Sequence, residues 1–215
     1  MTRWITFGKE AGESTLPRHD GKPGSASERL LEQHPEQADI SWPKGFDAGI
    51  VHRLDGSTSG LLLVACSLSD LTYARKLFGS GDLRKRYRFL TNRVVGWRKH
   101  TITAPLAHDR KDRRKMVWQR GAKTPHRGKW YPAHTEFRRI GRRGDLHVWE
   151  AVITTGVTHQ IRIHAASCGL ALLGDRLYGG TAHPSGQFYL HHMHVEGWPE
   201  AIPLIEPPSD WPESL

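Results

Sequence analysis

His52-Arg53-Leu54-Asp55-Gly56-Ser57-Thr58-Ser59-Gly60-Leu61-Leu62-Leu63-Val64-Ala65 joins a polar loop to an apolar run. The run from Leu61 to Cys66 has strand length, carries no polar position and follows a glycine, which predicts a buried strand. The polar half reads as a loop. Gly56 and Gly60 bracket it, and Ser57, Thr58 and Ser59 can satisfy its backbone groups. It delivers one carboxylate, Asp55, just ahead of the strand. A loop braced by a rigid strand is a common way to fix a catalytic side chain, whereas an isolated aspartate is more often a turn residue. The stretch alone leaves both readings open.

Working outward, residues 1–45 are rich in Gly, Pro, Ser and charge. They predict a loop-rich N-terminal segment of the same domain, with a strand near Trp4–Phe7 and a helix over Ser27–His34 capped by Ser27. Residues 46–215 form the main domain. A helix is expected over Asp70–Phe78, capped by Ser67 or Ser69 and ended by Gly79 and Gly81. Strands are expected over 84–95, 101–104, 116–119, 133–140, 146–154 and 188–195, with a short helix over Thr158–Cys168 capped by Thr158. The Pro-rich C-terminus should be irregular. The fold class is α+β, a mixed, mainly antiparallel sheet core with flanking helices.

Composition narrows the function. The chain has 31 Lys and Arg against 22 Asp and Glu, a net charge of +9, which favours a polyanionic partner. Basic runs lie at Arg84–Arg88, Arg110–Lys115 and Arg138–Arg143, near Tyr87, Phe89, Trp118, Trp130 and Tyr131. Cations for phosphates beside rings for bases suit an RNA-binding surface. No stretch reaches the ~18 apolar residues of a membrane helix, and the N-terminus lacks a secretion pattern. Cys66 and Cys168 lie far apart without metal or redox spacing, which fits a reducing cytoplasm. His191, His192 and His194 cluster without an acid or cysteine to complete a zinc set, so no metal is expected.

Two further stretches carry chemistry. In Lys85-Arg86-Tyr87-Arg88-Phe89, strand alternation puts Tyr87 and Phe89 on one face and the basic residues on the other. In Gly156-Val157-Thr158-His159-Gln160-Ile161-Arg162-Ile163-His164 a strand ends and a helix begins, a corner that favours anions. An arginine there could pair with Asp55 and hold it ionised and oriented.

Together these stretches resemble the RluA-type pseudouridine synthases. The run from His52 is similar to the catalytic-loop signature of that family, Lys85-x-Tyr87 to its second motif, and Thr158–His164 with Leu173-Gly174-Asp175 and Tyr178-Gly179 to its third. The order and spacing agree, over roughly residues 49–195. The resemblance implies the pseudouridine synthase catalytic fold and isomerisation of a uridine in tRNA or rRNA. It implies Asp55 as the catalytic carboxylate, Arg162 as its salt-bridge partner and Tyr87 as the platform under the base, with a role in proton transfer. Arg53 would enter the RNA stack, and His52, Thr58, His159 and Gln160 would contact substrate. No metal, organic cofactor or obligatory protein partner is implied. The carboxylate could attack C1′ or abstract a sugar proton.

The chain departs from the pattern at Val157, where the family usually has Arg, and at Lys9-Glu10-Ala11-Gly12, which only approximates a Lys-Pro-x-Gly opening. The catalytic region is expected to work without an S4-type RNA-binding extension, with RNA affinity coming from this domain and its basic runs. Two other readings use the same residues: a catalytically silent RNA-binding protein on this scaffold, and an N-glycosidase releasing uracil.

Overall fold

A computed structural model of the chain describes residues 3–18 and 20–214. The elements run β1 (Trp4–Lys9), α1 (Ala26–Gln33), β2 (Ser59–Ala65), α2 (Leu68–Ser80), β3 (Arg84–Thr91), β4 (Lys99–Ile102), β5 (Leu106–His108), β6 (Met116–Trp118), β7 (Arg127–Tyr131), β8 (Thr135–Arg143), β9 (Leu146–Ile153), α3 (Gln160–Ser167) and β10 (Leu190–Glu196). They form two compact units. Met1–Leu83 and His191–Pro207 make the first, Arg84–Leu190 and Pro208–Leu215 the second. The N-terminal segment shares the first unit with β2.

In the first unit β2 is the central strand, and all seven of its residues are buried, as its apolar run requires. β1 pairs antiparallel along one edge, from Trp4 opposite Ala65 to Lys9 opposite Gly60. β10 lies parallel along the other, His192 opposite Gly60. Gly60 makes that approach possible. Its φ is 116°, and a Cβ there would collide with the His192 backbone. The core gathers Trp4, Leu61, Leu63, Leu71, Ala74 and Trp198. Ser67 caps α2 by accepting from the Asp70 N–H, and left-handed Gly81 ends it, with Gly79 inside the helix. α1 is capped by Ser25, not Ser27. Ser25 and Glu28 form a reciprocal capping box, which places Ser27 in the buried first turn.

In the second unit β3, β9, β8 and β4 pair antiparallel in that order. Phe89, Phe137 and Trp149 are fully buried within it. β3 stops at Thr91 instead of reaching Val95. The Thr91 hydroxyl donates to Ala171 O and accepts from the Arg93 N–H, turning the chain and leaving Val94 77% exposed. β6, β5 and β7 make a separate three-stranded sheet. β5 is three residues long and β7 is mostly exposed, so neither shows a readable apolar pattern. Both units are α+β, and antiparallel pairing dominates. Among the described residues no helix is long and apolar enough to cross a membrane.

Candidate active site

The first unit holds Asp55 on the loop before β2, where the residue is half-buried. The backbone around it is tied from several directions. Thr15 Oγ1 donates to Leu54 O at 2.8 Å and accepts from the Leu54 N–H at 3.1 Å. The Thr58 N–H closes a turn onto Asp55 O at 2.9 Å, and Gly56 O accepts from the Gly12 N–H at 2.8 Å. Beneath the turn lies Lys9, 3% exposed. Its ammonium donates to Thr58 O at 2.8 Å, Glu10 O at 2.9 Å and Gly56 O at 3.0 Å. Burial pushes its pKa down to about 8, against the attraction of Glu13 and Asp55.

His52 and the β10 histidines brace the same loop. His52 Nε2 accepts from the Leu63 N–H at 3.2 Å, and its ring meets Phe78 and His192. His192 is fully buried and donates through Nδ1 to Leu61 O at 2.7 Å. His191 donates through Nε2 to Ile205 O at 3.2 Å, so its Nδ1 accepts from Ser59 Oγ at 2.9 Å. His191 and His192 therefore hold backbone and side chains within the protein. Among the described residues no group of three His, Cys, Asp or Glu side chains is placed to hold a metal ion.

The second unit holds Tyr87, His159, Gln160 and Arg162. Tyr87 is buried on β3 opposite Ala151, and Phe89 shares its face. Lys85, two residues before Tyr87, lies on that face too, which corrects the expectation that all the basic residues point the other way. Burial pushes its pKa down to about 8. Arg162, on α3, is 8% exposed. Its Nε and Nη2 donate in a fork to Asp175 Oδ2 and Oδ1, both at 2.8 Å. Tyr178 and Phe188 each place a ring centroid 5.1 Å from the guanidinium carbon. Asp175 is 1% exposed and its Oδ1 also accepts from the N–H groups of Leu177 and Tyr178.

The corner before α3 is not capped by Thr158. His159 occupies that position in a left-handed conformation, φ 55°, without a side-chain cap. Gln160 does the work instead. Its Oε1 accepts from the Val157 N–H and Thr155 Oγ1, and its Nε2 donates to His134 O and Thr135 Oγ1. All four hydrogen-bonding positions of the amide are filled by the protein. The Tyr178 hydroxyl accepts from the Met116 N–H and hydrogen-bonds His159 Nδ1, each at 2.8 Å.

Residues 3–167 match the family model described as RNA pseudouridylate synthase. The chain belongs to the RluA-type RNA pseudouridylate synthases. It is 36% identical over 198 residues to the uncharacterized RNA pseudouridine synthase of Chloroflexus aurantiacus, covering 87% of this chain and 56% of that one. It is 37% identical over 131 residues to the ribosomal large subunit pseudouridine synthase D of Zymomonas mobilis, covering 61% and 39%. The chain thus spans little more than half the length of such relatives, or less. The solved structure of human RNA pseudouridylate synthase domain containing 1 has the same fold, with a TM-score of 0.70 at 23% identity over 91% of this chain and 75% of that one.

For this pseudouridylate synthase, the residues expected at substrate separate into two groups. Arg53 is exposed, and Asp55, His52 and His159 are half-buried. Thr58 and Gln160 are each 2% exposed and act inside the protein, so their expected substrate contacts give way to bracing of the loop and the helix corner. Sequence reading missed Lys9, Thr15 and Asp175 as supports. Lys9 had a weak signal in the approximate Lys-Pro-x-Gly echo, and Asp175 one in the Leu-Gly-Asp run. Val157 packs against the apolar cluster of Leu106, Met116, Ala133 and Ile163. The missing arginine is replaced by a hydrophobic contact.

Proposed function

We propose that this pseudouridylate synthase isomerises a uridine already built into tRNA or rRNA to pseudouridine, with Asp55 as the catalytic carboxylate. The N1–C1′ bond of the nucleotide breaks, the uracil turns, and C5 bonds to C1′. The C5 proton is lost and N1 gains one. Asp55 serves as nucleophile at C1′ or as base toward the sugar. Tyr87 supplies the aromatic platform and Arg162 the guanidinium of the reaction. Arg53 fills the stack vacated by the extruded nucleotide, an exchange any enzyme working on a stacked base requires. His52 and His159 flank the substrate. The reaction draws on no metal, organic cofactor or protein partner, and it belongs in the cytoplasm where those RNAs mature.

The observation that carries this reading is the treatment of the Asp55 loop. Thr15, Gly12, Lys9 and Thr58 tie the backbone on both sides of a carboxylate that itself stays half-buried. An ordinary turn aspartate does not call for this bracing, whereas a reacting carboxylate must be held in precise geometry. The test uses RNA labelled with tritium at uridine C5. Tritium release is expected, and Asp55→Asn should abolish it while leaving RNA affinity largely intact. Free uracil would indicate a glycosidase, and binding with neither product a silent RNA-binding protein. Full turnover by Asp55→Asn would refute the assignment.

A further inference from the structure

Leu106–Tyr131, which contains the three-stranded sheet, holds nine Lys or Arg and two Asp, a net +7 out of the chain's +9. Both acids serve the β5–β6 turn. Asp109 accepts from the backbone N–H groups of Lys111 and Asp112, and Asp112 pairs with Arg114. The positive field is therefore concentrated on one small sheet.

Between this sheet and α3 lies a cavity of about 260 Å³. Trp118 and Tyr178 supply aromatic walls, Ile163 and Ala166 an aliphatic floor, and Arg120 and Ser167 a polar margin. The volume falls just below the roughly 300–1,000 Å³ of drug-sized pockets and suits a single planar ring. Trp118 is half-buried against the Leu106–Met116 cluster, and its indole N–H makes no hydrogen bond among the described residues. Arg120 is exposed, and its backbone is fixed because its N–H donates to Thr124 Oγ1 at 3.0 Å. The Tyr178 ring that lines the cavity is the ring that meets the Arg162 guanidinium.

We infer that this cavity is a second base-binding subsite, holding one unpaired nucleotide of the RNA, with Trp118 stacking on its base and Arg120 meeting its phosphate. The inference rests on the RNA-modifying reading above and adds a nucleotide other than the one being isomerised. Stacking on an aromatic side chain tolerates any base, so the subsite selects an unpaired residue at a set spacing rather than a sequence.

The test measures anisotropy of a fluorescein-labelled stem-loop RNA with a uridine-rich loop, alone and with one abasic nucleotide at each loop position in turn. Trp118→Ala and Arg120→Ala should each weaken binding by about fivefold or more. One abasic position should weaken the unchanged protein similarly and add nothing in Trp118→Ala. Trp118→Phe, which keeps a stacking ring, should recover most of the affinity. Arg120 is exposed, so its variant tests the subsite without disturbing the core. Equal binding by both variants, or the same abasic profile in Trp118→Ala as in the unchanged protein, would overturn the inference. So would competition by free UMP at the concentration where the RNA binds, since the cavity would then be a free-nucleotide pocket. Failure of the unchanged protein to bind RNA and release tritium would instead refute the functional reading beneath it.

Discussion

Replacing Lys9 by methionine keeps the buried stem and removes the ammonium. Three carbonyls lose the ammonium, but Gly56 O keeps the Gly12 N–H. Thr58 O is buried and loses the Lys9 donor, at a cost of about 1–3 kcal/mol, while the part-buried Gly56 O and Glu10 O can reach water, at about 0.5–1.5 kcal/mol each. Against this stands the burial of the charge itself. A pKa pushed from 10.5 down to about 8 corresponds to about 3 kcal/mol disfavouring the ammonium in the folded chain. The two effects nearly cancel, so Lys9→Met should shift the urea midpoint little in either direction. The rate should respond differently. The turn carrying Asp55 loses two of its ties, at Gly56 O and Thr58 O, and displacement of a catalytic group by about an ångström can cost on the order of 100-fold. Tritium release measured beside urea unfolding is expected to show a fall in kcat of at least tenfold with stability close to that of the unchanged protein. Full turnover with the ties gone would refute the claim that Lys9 holds the catalytic loop.

Stability should also depend on pH through buried Lys9 and half-buried Lys85. Burial holds both lysines at a pKa of about 8 in the folded chain, below the ordinary lysine value of 10.5. Their burial penalty is full below pH 8 and fades as pH rises from 8 toward 10.5, because the unfolded chain then binds more protons. Relative to the Lys9→Met, Lys85→Met double variant, the unchanged protein should gain melting temperature over that range, and a constant difference would contradict the assigned burial. Asp175→Asn leaves the Arg162 charge without its carboxylate, and calorimetry should register a loss of about 2–4 kcal/mol together with a larger fall in kcat than in RNA affinity. Val157→Arg exchanges an apolar contact for a cation. Salt titration of RNA binding should steepen by about one unit of slope, with a modest loss of stability.

What could be read from the sequence was local. Glycine before an unbroken apolar run identified β2 and its loop, and Ser67 with Gly81 bounded α2, because each signal lies within a few residues of what it controls. Strand parity also places Lys85 with Tyr87 and Phe89, which follows from counting by two along 85, 87 and 89. The supports were not legible in this way. Lys9 meets carbonyls up to 49 residues away, and Ser59 meets a histidine 132 residues on. Neither pairing has a short-range pattern, since each exists only once β1, β2 and β10 lie side by side. The α3 corner misled for a related reason. Thr158 has the chemistry of a cap, but the Gln160 amide already satisfies the Val157 N–H from within the helix, and the turn passes to His159.

The two buried cations are stabilised in different ways, and the difference separates their roles. Among the described residues Lys9 is bonded to neutral carbonyls, so its charge is not cancelled by a bonded carboxylate and it attracts Asp55. Arg162 is matched by Asp175, so the pair carries little net charge and its value lies in direction. The fork fixes the guanidinium plane, the two rings hold its faces, and Asp175 is in turn held by the Leu177 and Tyr178 N–H groups. A lysine at position 162 would keep the charge and lose the fork, meeting Asp175 at a single point without the fixed plane, while Oδ1 keeps the Leu177 and Tyr178 N–H groups. On the function proposed above, Arg162 would act as an oriented donor and Lys9 as a charge beneath the loop.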